Sequence, residues 1–285
     1  MPVSAPAYPC LPLCQRWRNG RDRYKPTGAT INPDRYQVQL IAWQDGRAFI
    51  EAHHYSRSMP ATRLTVGLVH KLSRLHHETL AGVACFSVPM SQSVIPKYTG
   101  LAPDQGVELG RFVLLDEVPA NGESWFLARC LALLAQAKPQ IKAVVSFSDP
   151  MPRTTNTGQV MFPGHIGLIY QASNARYCGR TDRNKLLLAP DGTVISRRTL
   201  AKLTAGDRGA GGAYRQLLAK GAPLKPGYET WAAYIRRMRQ EVFREVAHPG
   251  NHAYTFAGGQ KPARKALRGS WGPGMPFPTL PSYPR

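Results

Sequence analysis

Val107-Glu-Leu-Gly-Arg-Phe-Val-Leu-Leu115, then Asp116-Glu-Val-Pro-Ala-Asn-Gly122, then Ser124–Ala137, then Lys142-Ala-Val-Val-Ser-Phe-Ser148, is the stretch on which the fold turns. The first run is rich in Val, Leu and Phe and reads as a strand. Ser124–Ala137 places Trp125, Leu127, Ala128, Leu131, Leu134 and Ala135 on one stripe, which predicts an amphipathic helix. Lys142–Ser148 is an apolar strand stopped at Asp149-Pro150. Strand, helix and strand in this order make a parallel β-α-β unit.

Upstream, Tyr36–Trp43 alternates as a strand does, and Asp45–Arg57 carries Phe49, Ile50 and His53 at helical spacing. Leu64–His70 and Thr79–Val88 read as a hairpin around the basic loop Lys71–Glu78, which holds His76 and His77. Downstream, His165–Ser173 is expected as a short helix. Lys185–Leu188 and Thr193–Ser196 flank a turn at Pro190-Asp-Gly192. An antiparallel start joined to a parallel unit predicts a mixed α/β sheet with flanking helices.

Charge divides the 285 residues further. The formal net charge is +20: residues 1–35 carry +4, residues 36–179 carry +3 and residues 180–285 carry +13. A near-neutral centre with basic flanks suits a polyanionic partner, nucleic acid first. The expected organisation is a basic irregular arm over 1–35 and a catalytic domain over 36–204. A basic helical extension over 205–257 and a Pro/Gly-rich extended tail over 258–285 follow. The extension contains a glycine linker at Gly209–Gly212 and a helix over Thr230–Val246. That helix bears Arg236, Arg237, Arg239 and Arg244 as candidate phosphate contacts.

No apolar run approaches the roughly 18 residues of a membrane span. The proline-rich start is unlike a signal peptide. Five scattered cysteines make neither a disulfide framework nor a paired zinc motif, which favours a reduced, intracellular setting.

Ligands in open α/β sheets favour the carboxyl ends of parallel strands, here Leu115 and Ser148. Pro119–Ser124 leads into a helix N-terminus whose amides suit a phosphate, although the loop's sequence alone favours Ser124 as a residue that caps or enters its helix. Tyr170 stands at helical spacing from His165 and Asn174. It and Tyr177 either face a cleft or pack within the core.

Four dispersed stretches carry a resemblance: Ala52-His-His-Tyr-Ser56, Glu108–Ser124 as quoted above, Val145-Ser-Phe-Ser-Asp-Pro150 and His165-Ile-Gly-Leu-Ile-Tyr-Gln-Ala-Ser-Asn174. The element order resembles the GNAT acyltransferase fold. Within it, the four stretches, in order over roughly residues 36–200, resemble the phage Mom DNA-modification family. The resemblance implies a phage or prophage enzyme of the host cytoplasm. It would place a carbamoylmethyl group on the exocyclic N6 amine of adenine in double-stranded DNA, shielding it from host restriction.

That amine is a weak nucleophile and is engaged in base pairing, so the reaction calls for base flipping, proton removal and a positioned donor. Asp149 is a candidate base or hydrogen-bond acceptor, and a buried Asp149–Arg111 pair is its structural alternative. His54 or its neighbour His53 can act near neutral pH, and Tyr55, Trp125 and Tyr170 can stack on an extruded base. Strand alternation puts Glu108 and Arg111 on opposite faces unless a bulge intervenes. The catalytic candidates are therefore Asp149, His54, Tyr55, Arg111, Ser124 and Tyr170. Leu114, Asn121, Gly122, Ser124 and Asn174 are expected around the donor.

The fold resemblance implies an acyl-CoA-like donor, yet the loop offers only Gly122 and sets Glu123 beside any pyrophosphate. Aminoacyl-tRNA is another donor, and its polyanionic body suits the basic tail. Mononuclear iron or zinc is a further candidate, for which His53, His54, Asp149 and His165 could supply the converging ligands. The alternative function is a GNAT-type N-acyltransferase acting on a small molecule, a protein or another base.

Overall fold

The computed structural model describes residues 13–18, 21–26, 30–71 and 79–279. In chain order the elements are β1 (Leu13–Arg18), β2 (Arg21–Pro26), β3 (Tyr36–Leu40), α1 (Trp43–His53), β4 (Thr62–His70), β5 (Thr79–Ser87), α2 (Val94–Thr99), β6 (Gly106–Leu114), α3 (Gly122–Ala137), β7 (Ala143–Ser148), β8 (Arg153–Thr154), β9 (Val160–Phe162), α4 (Leu168–Ala172), β10 (Arg176–Arg180), β11 (Asn184–Leu188), β12 (Val194–Ile195), α5 (Arg197–Ala205), α6 (Ala210–Ala219), α7 (Trp231–Glu241), β13 (Arg244–His248), β14 (His252–Ala257) and α8 (Lys261–Trp271). Seven strands hydrogen-bond in the order β10-β14-β7-β6-β5-β4-β3, so the protein is mixed α/β with flanking helices. Strands β3 to β6 form an antiparallel meander. The parallel ladder between β6 and β7 covers only Gly106↔Ala143 to Glu108↔Val145.

Contacts divide the chain into two units. One comprises residues 1–145, 172–174 and 256–272, and the other residues 146–171, 175–255 and 273–285. In the first, α1 lays Phe49 and Ile50 against Val83 and Cys85 on one face of β5. Gly46 permits the approach: a Cβ there would stand 2.4 Å from Thr65 Cγ2. Phe112, paired with Ala84 on the opposite face, stacks on Phe126 of α3 at 5.5 Å. Covered on both faces, β5 is buried from Ala81 to Ser87, which is why its sequence shows no polar alternation. The buried side of α3 is Phe126, Leu127, Cys130 and Leu134, rotated from the expected stripe, and Ala128 is exposed.

In the second unit, β12-β11-β13 form a small antiparallel sheet. Its Leu187 and Ile195 share a core with Leu203 of α5, Leu217 of α6, and Tyr234 and Met238 of α7. Thr230 caps α7 by accepting from the Ala233 amide at 3.2 Å.

Several expectations are corrected. Residues 13–18 and 21–26 pair as antiparallel strands within the segment read as an irregular arm. The glycine stretch is no linker: Gly209, at φ 97°, caps α6, and Gly211 and Gly212 lie inside it. Helix α7 ends at Glu241, and Arg244 opens β13 instead of belonging to the helix. The tail contains α8, entered through Pro262. Strand β14 joins the main sheet from beyond residue 204, where the core was expected to end. The loop with His76 and His77, residues 1–12 of the arm, and the prolines at 281 and 284 lie outside the described residues. Among the described residues no helix is long and apolar enough to cross a membrane.

Candidate functional site

Two polar groups stand out, one in each unit. The first lies on the face of β5 and β6 that α1 covers. Ser87 pairs with Glu108 and Cys85 with Arg111, whereas Phe86 pairs with Leu109. Gly110 is thus an extra residue on β6, a bulge. Directly opposed residues share a face, and so do Cys85 and Ser87, two apart, so Glu108 and Arg111 share a face as well. Glycine at 110 leaves room for Ser87, since a Cβ there would stand 2.4 Å from Ser87 Oγ. Burial pushes the Glu108 carboxyl up to about 7, against the opposing pull of Arg111. A group titrating there can take or give a proton near neutral pH.

Arg111 is braced, with Nε donating to the Ser58 carbonyl at 2.8 Å, Nη2 to Ser58 Oγ at 3.1 Å and Nη1 to the Gly110 carbonyl at 2.6 Å. Ser58 Oγ donates to Ser56 Oγ at 3.5 Å, and Ser56 Oγ lies 2.9 Å from His54 Nδ1. His54 Nδ1 also accepts from the Ser56 amide at 3.1 Å, which leaves Nε2 to carry the proton of the neutral ring. Tyr55 lies against His54 with ring centroids 4.2 Å apart, while His53 lies against Phe49 at 4.6 Å. Of the two histidines, His54 therefore connects to Arg111. Cys85 accompanies them, with its thiol pushed up chiefly by burial.

The β6–α3 junction lies in the same unit. Asn121 caps α3 in the left-handed region at φ 64°, and Ser124 Oγ donates back to the Asn121 carbonyl at 3.2 Å, the helix-entry role. Leu114 is buried, and the space beside Gly122 is taken by Val118 Cγ1, 2.5 Å from where a Cβ would stand. With one glycine and Glu123 in the first turn, the junction does not fit coenzyme A pyrophosphate. Asn174 is exposed at φ 57°. Trp125 carries the Arg129 guanidinium 3.7 Å from its ring centroid, so that face is covered.

The second group centres on Asp149. Its Oδ1 accepts from the Met151 amide at 2.9 Å and from His248 Nε2 at 2.9 Å, and its Oδ2 pairs with Arg153 Nη2 at 3.0 Å. His248 is 4% exposed and accepts from the Gly250 amide at Nδ1, 3.1 Å away, so Nε2 is its donor nitrogen. The cation beside Asp149 is Arg153, not the Arg111 of the structural alternative. His165 donates its amide to the Asp149 carbonyl at 2.7 Å, and burial pushes its ring down to about 4. Tyr170 is only 6% exposed and packs on Tyr254 at 5.3 Å, which is the core role, not an open stacking surface. Tyr177 likewise packs on Tyr254, and its hydroxyl meets His252 Nδ1 at 2.8 Å.

His54, Tyr55, Arg111 and Ser124 thus belong to the first unit, Asp149 and Tyr170 to the second. The four proposed iron ligands divide the same way. Among the described residues no group of three or more His, Cys, Asp or Glu stands close enough to hold a metal, so the residues do not fit that centre. Ser56, Ser58, Arg153 and His248 escaped the sequence reading. Arg153, four residues after Asp149, was visible as a local pairing, but His248 had no local signal. Of the proposed phosphate contacts, Arg236 and Arg239 are exposed, and Arg244 donates from Nη2 to the Thr154 carbonyl at 3.0 Å. Arg237 is committed elsewhere, to Glu229 at 2.8 Å and 3.0 Å and to Glu241 at 3.5 Å.

The fold is mixed α/β, and each of its two units carries one of these polar groups. The family model of the Mom protein family matches residues 35–215, and the chain belongs to that family, whose members are phage DNA-modifying enzymes. Membership does not favour the alternative of acyl transfer to a small molecule or protein. A search of the curated proteins finds no match.

Proposed function

We propose that this chain adds a carbamoylmethyl group to the N6 amine of adenine in phage DNA, with the β6 bulge as the seat of proton transfer. The observation that carries this reading is Glu108: a carboxyl titrating at about 7, brought by the bulge at Gly110 onto the face that also holds Arg111. As the N6–C bond forms, the donor's leaving group departs with the electron pair of the bond it breaks. The N6 proton passes to the Glu108 carboxylate. Arg111, held by Ser58, and His54, held by Ser56, orient this face. The single parallel β-α-β unit after an antiparallel meander supports a GNAT-like core. No step is routed through coenzyme A, whose pyrophosphate the β6–α3 junction does not suit.

Asp149, whose lone pairs are aimed by His248 and Arg153, is the second candidate for the proton acceptor and belongs to the other unit. Arg236 and Arg239 would hold duplex phosphates while the base is flipped. Protection from host restriction follows from altering a base that restriction enzymes read.

The experiment is mass spectrometry of nucleosides from the DNA of cells expressing the protein, beside Glu108→Gln and Asp149→Ala variants. A carbamoylmethyl-deoxyadenosine present in the parent and lost in Glu108→Gln is expected. Persistence in Glu108→Gln removes Glu108 from the chemistry. Absence in a soluble, expressed parent overturns the reaction.

A further inference from the structure

The tail helix α8 reads Lys-Pro-Ala-Arg-Lys-Ala-Leu-Arg-Gly-Ser-Trp, with four basic residues and no acidic one. Lys261, Arg264, Lys265 and Arg268 fall within about 100° of helical arc. All four are exposed, and none makes an ion pair with a described residue. Elsewhere among the described residues several cations have an acidic partner: Arg47 pairs with Glu51, Lys185 with Glu245 and Arg237 with Glu229. A helix with four bare cations and no buried residue contributes little to the core.

The helix is nonetheless fixed within the first unit at both ends. The Gly258 amide, just before it, donates to the Lys142 carbonyl at 2.8 Å. At its far end the Trp271 indole N–H donates to the Thr99 carbonyl at 2.9 Å, at the end of α2. Leu267 and Trp271, four residues apart, are its two half-buried side chains. Its apolar flank is therefore turned inward and engaged, while the basic face is free. An interfacial membrane helix needs that apolar flank for lipid.

We infer that α8 is a second phosphate-binding element, a rigid basic strut that grips the backbone of duplex DNA independently of α7. The inference rests on DNA being the substrate. Lys261 to Arg268 spans about 10 Å of helix axis, and a duplex presents one phosphate charge per ~1.7 Å of its own axis, so each cation has a phosphate within reach. Such contacts carry no sequence information; they set register and hold the duplex during base extrusion.

The test uses the full chain and K261Q/R264Q/K265Q/R268Q, whose glutamines keep helix propensity. Binding to a short duplex of arbitrary sequence is followed as salt is raised. The variant is expected to lose about 2–4 units of the log-affinity against log-salt slope, and at least about tenfold in affinity at low salt. An R264Q/R268Q variant is expected to lose about half of that slope change and serves if the fourfold variant misfolds. An unchanged slope in both folded variants, with the parent binding DNA, overturns the role of α8 while leaving the DNA reading intact. A parent that binds no duplex overturns both. Loss of binding to phosphatidylserine vesicles with no change toward DNA overturns the inference in favour of a membrane surface.

Discussion

Glu108 carries a cost as well as a role. Its carboxyl is pushed up to about 7 by burial, whereas in the unfolded chain it titrates near the ordinary 4.5. The folded state therefore favours the neutral form. The associated stability is fully present below the unfolded value and is lost as pH rises through about 7. His165 works in the opposite sense. Pushed down to about 4 from 6.5, it contributes stability that is present above 6.5 and is lost as pH falls toward 4. The two slopes oppose one another across the same mildly acidic window. Glu108→Gln should raise the melting temperature at pH 8, a gain on the order of 1 kcal/mol for a partly buried carboxyl. It should also steepen the loss on acidification, because the His165 contribution is then unopposed. Thermal melts of both proteins between pH 4 and 8 check this, and parallel curves would contradict it.

The same residues show what the sequence could convey. The alternation rule put Glu108 and Arg111 on opposite faces. Gly110 between them was the visible sign that the rule could break there, since a glycine inside a strand permits a bulge and a close approach. The pairing of Asp149 with His248 had no comparable sign. The residues lie 99 positions apart and join only through the folded chain.

At the scale of elements, α7 illustrates how one helix face divides its cations. Arg237 closes a bidentate pair with Glu229 and reaches Glu241, whereas Arg236 and Arg239 remain exposed. Arg237→Ala should lower the melting temperature with little effect on DNA affinity. Arg236→Gln with Arg239→Gln should leave melting unchanged and reduce the salt slope of DNA binding by about 1–2. Calorimetry and salt titration of the two variants check this; a melting loss in the double variant would contradict the division. Strong periodicity made α3, β4, β5, β6 and β7 legible to within a few residues. Helices α6 and α8 were not, because Gly211, Gly212 and Pro262 carry breaker signals that the tertiary setting tolerates: Pro262 sits in the first turn, where its missing N–H has no partner to lose.

For the whole molecule, the span matched by the family ends at residue 215, yet parts of the described structure that bear on Asp149 come later. His248 and Gly250 orient that carboxylate, and α7 completes the core shared with α5 and α6. A chain ending at residue 215 should therefore be recovered mainly as aggregate and leave DNA unmodified. Soluble yield and nucleoside analysis of the truncated protein check this, and a soluble, active truncation would refute it.

The strand order β10-β14-β7 has a consequence for synthesis on the ribosome. Translation proceeds from β7 through β10 long before residues 252–257 are made, so the nascent sheet waits with a gap that only β14 fills. Until those residues clear the exit tunnel, the two flanking strands expose unpaired backbone edges. Slow codons or stalling before residue 257 would prolong that exposure, so the yield of native protein depends on how quickly the last third of the message is read.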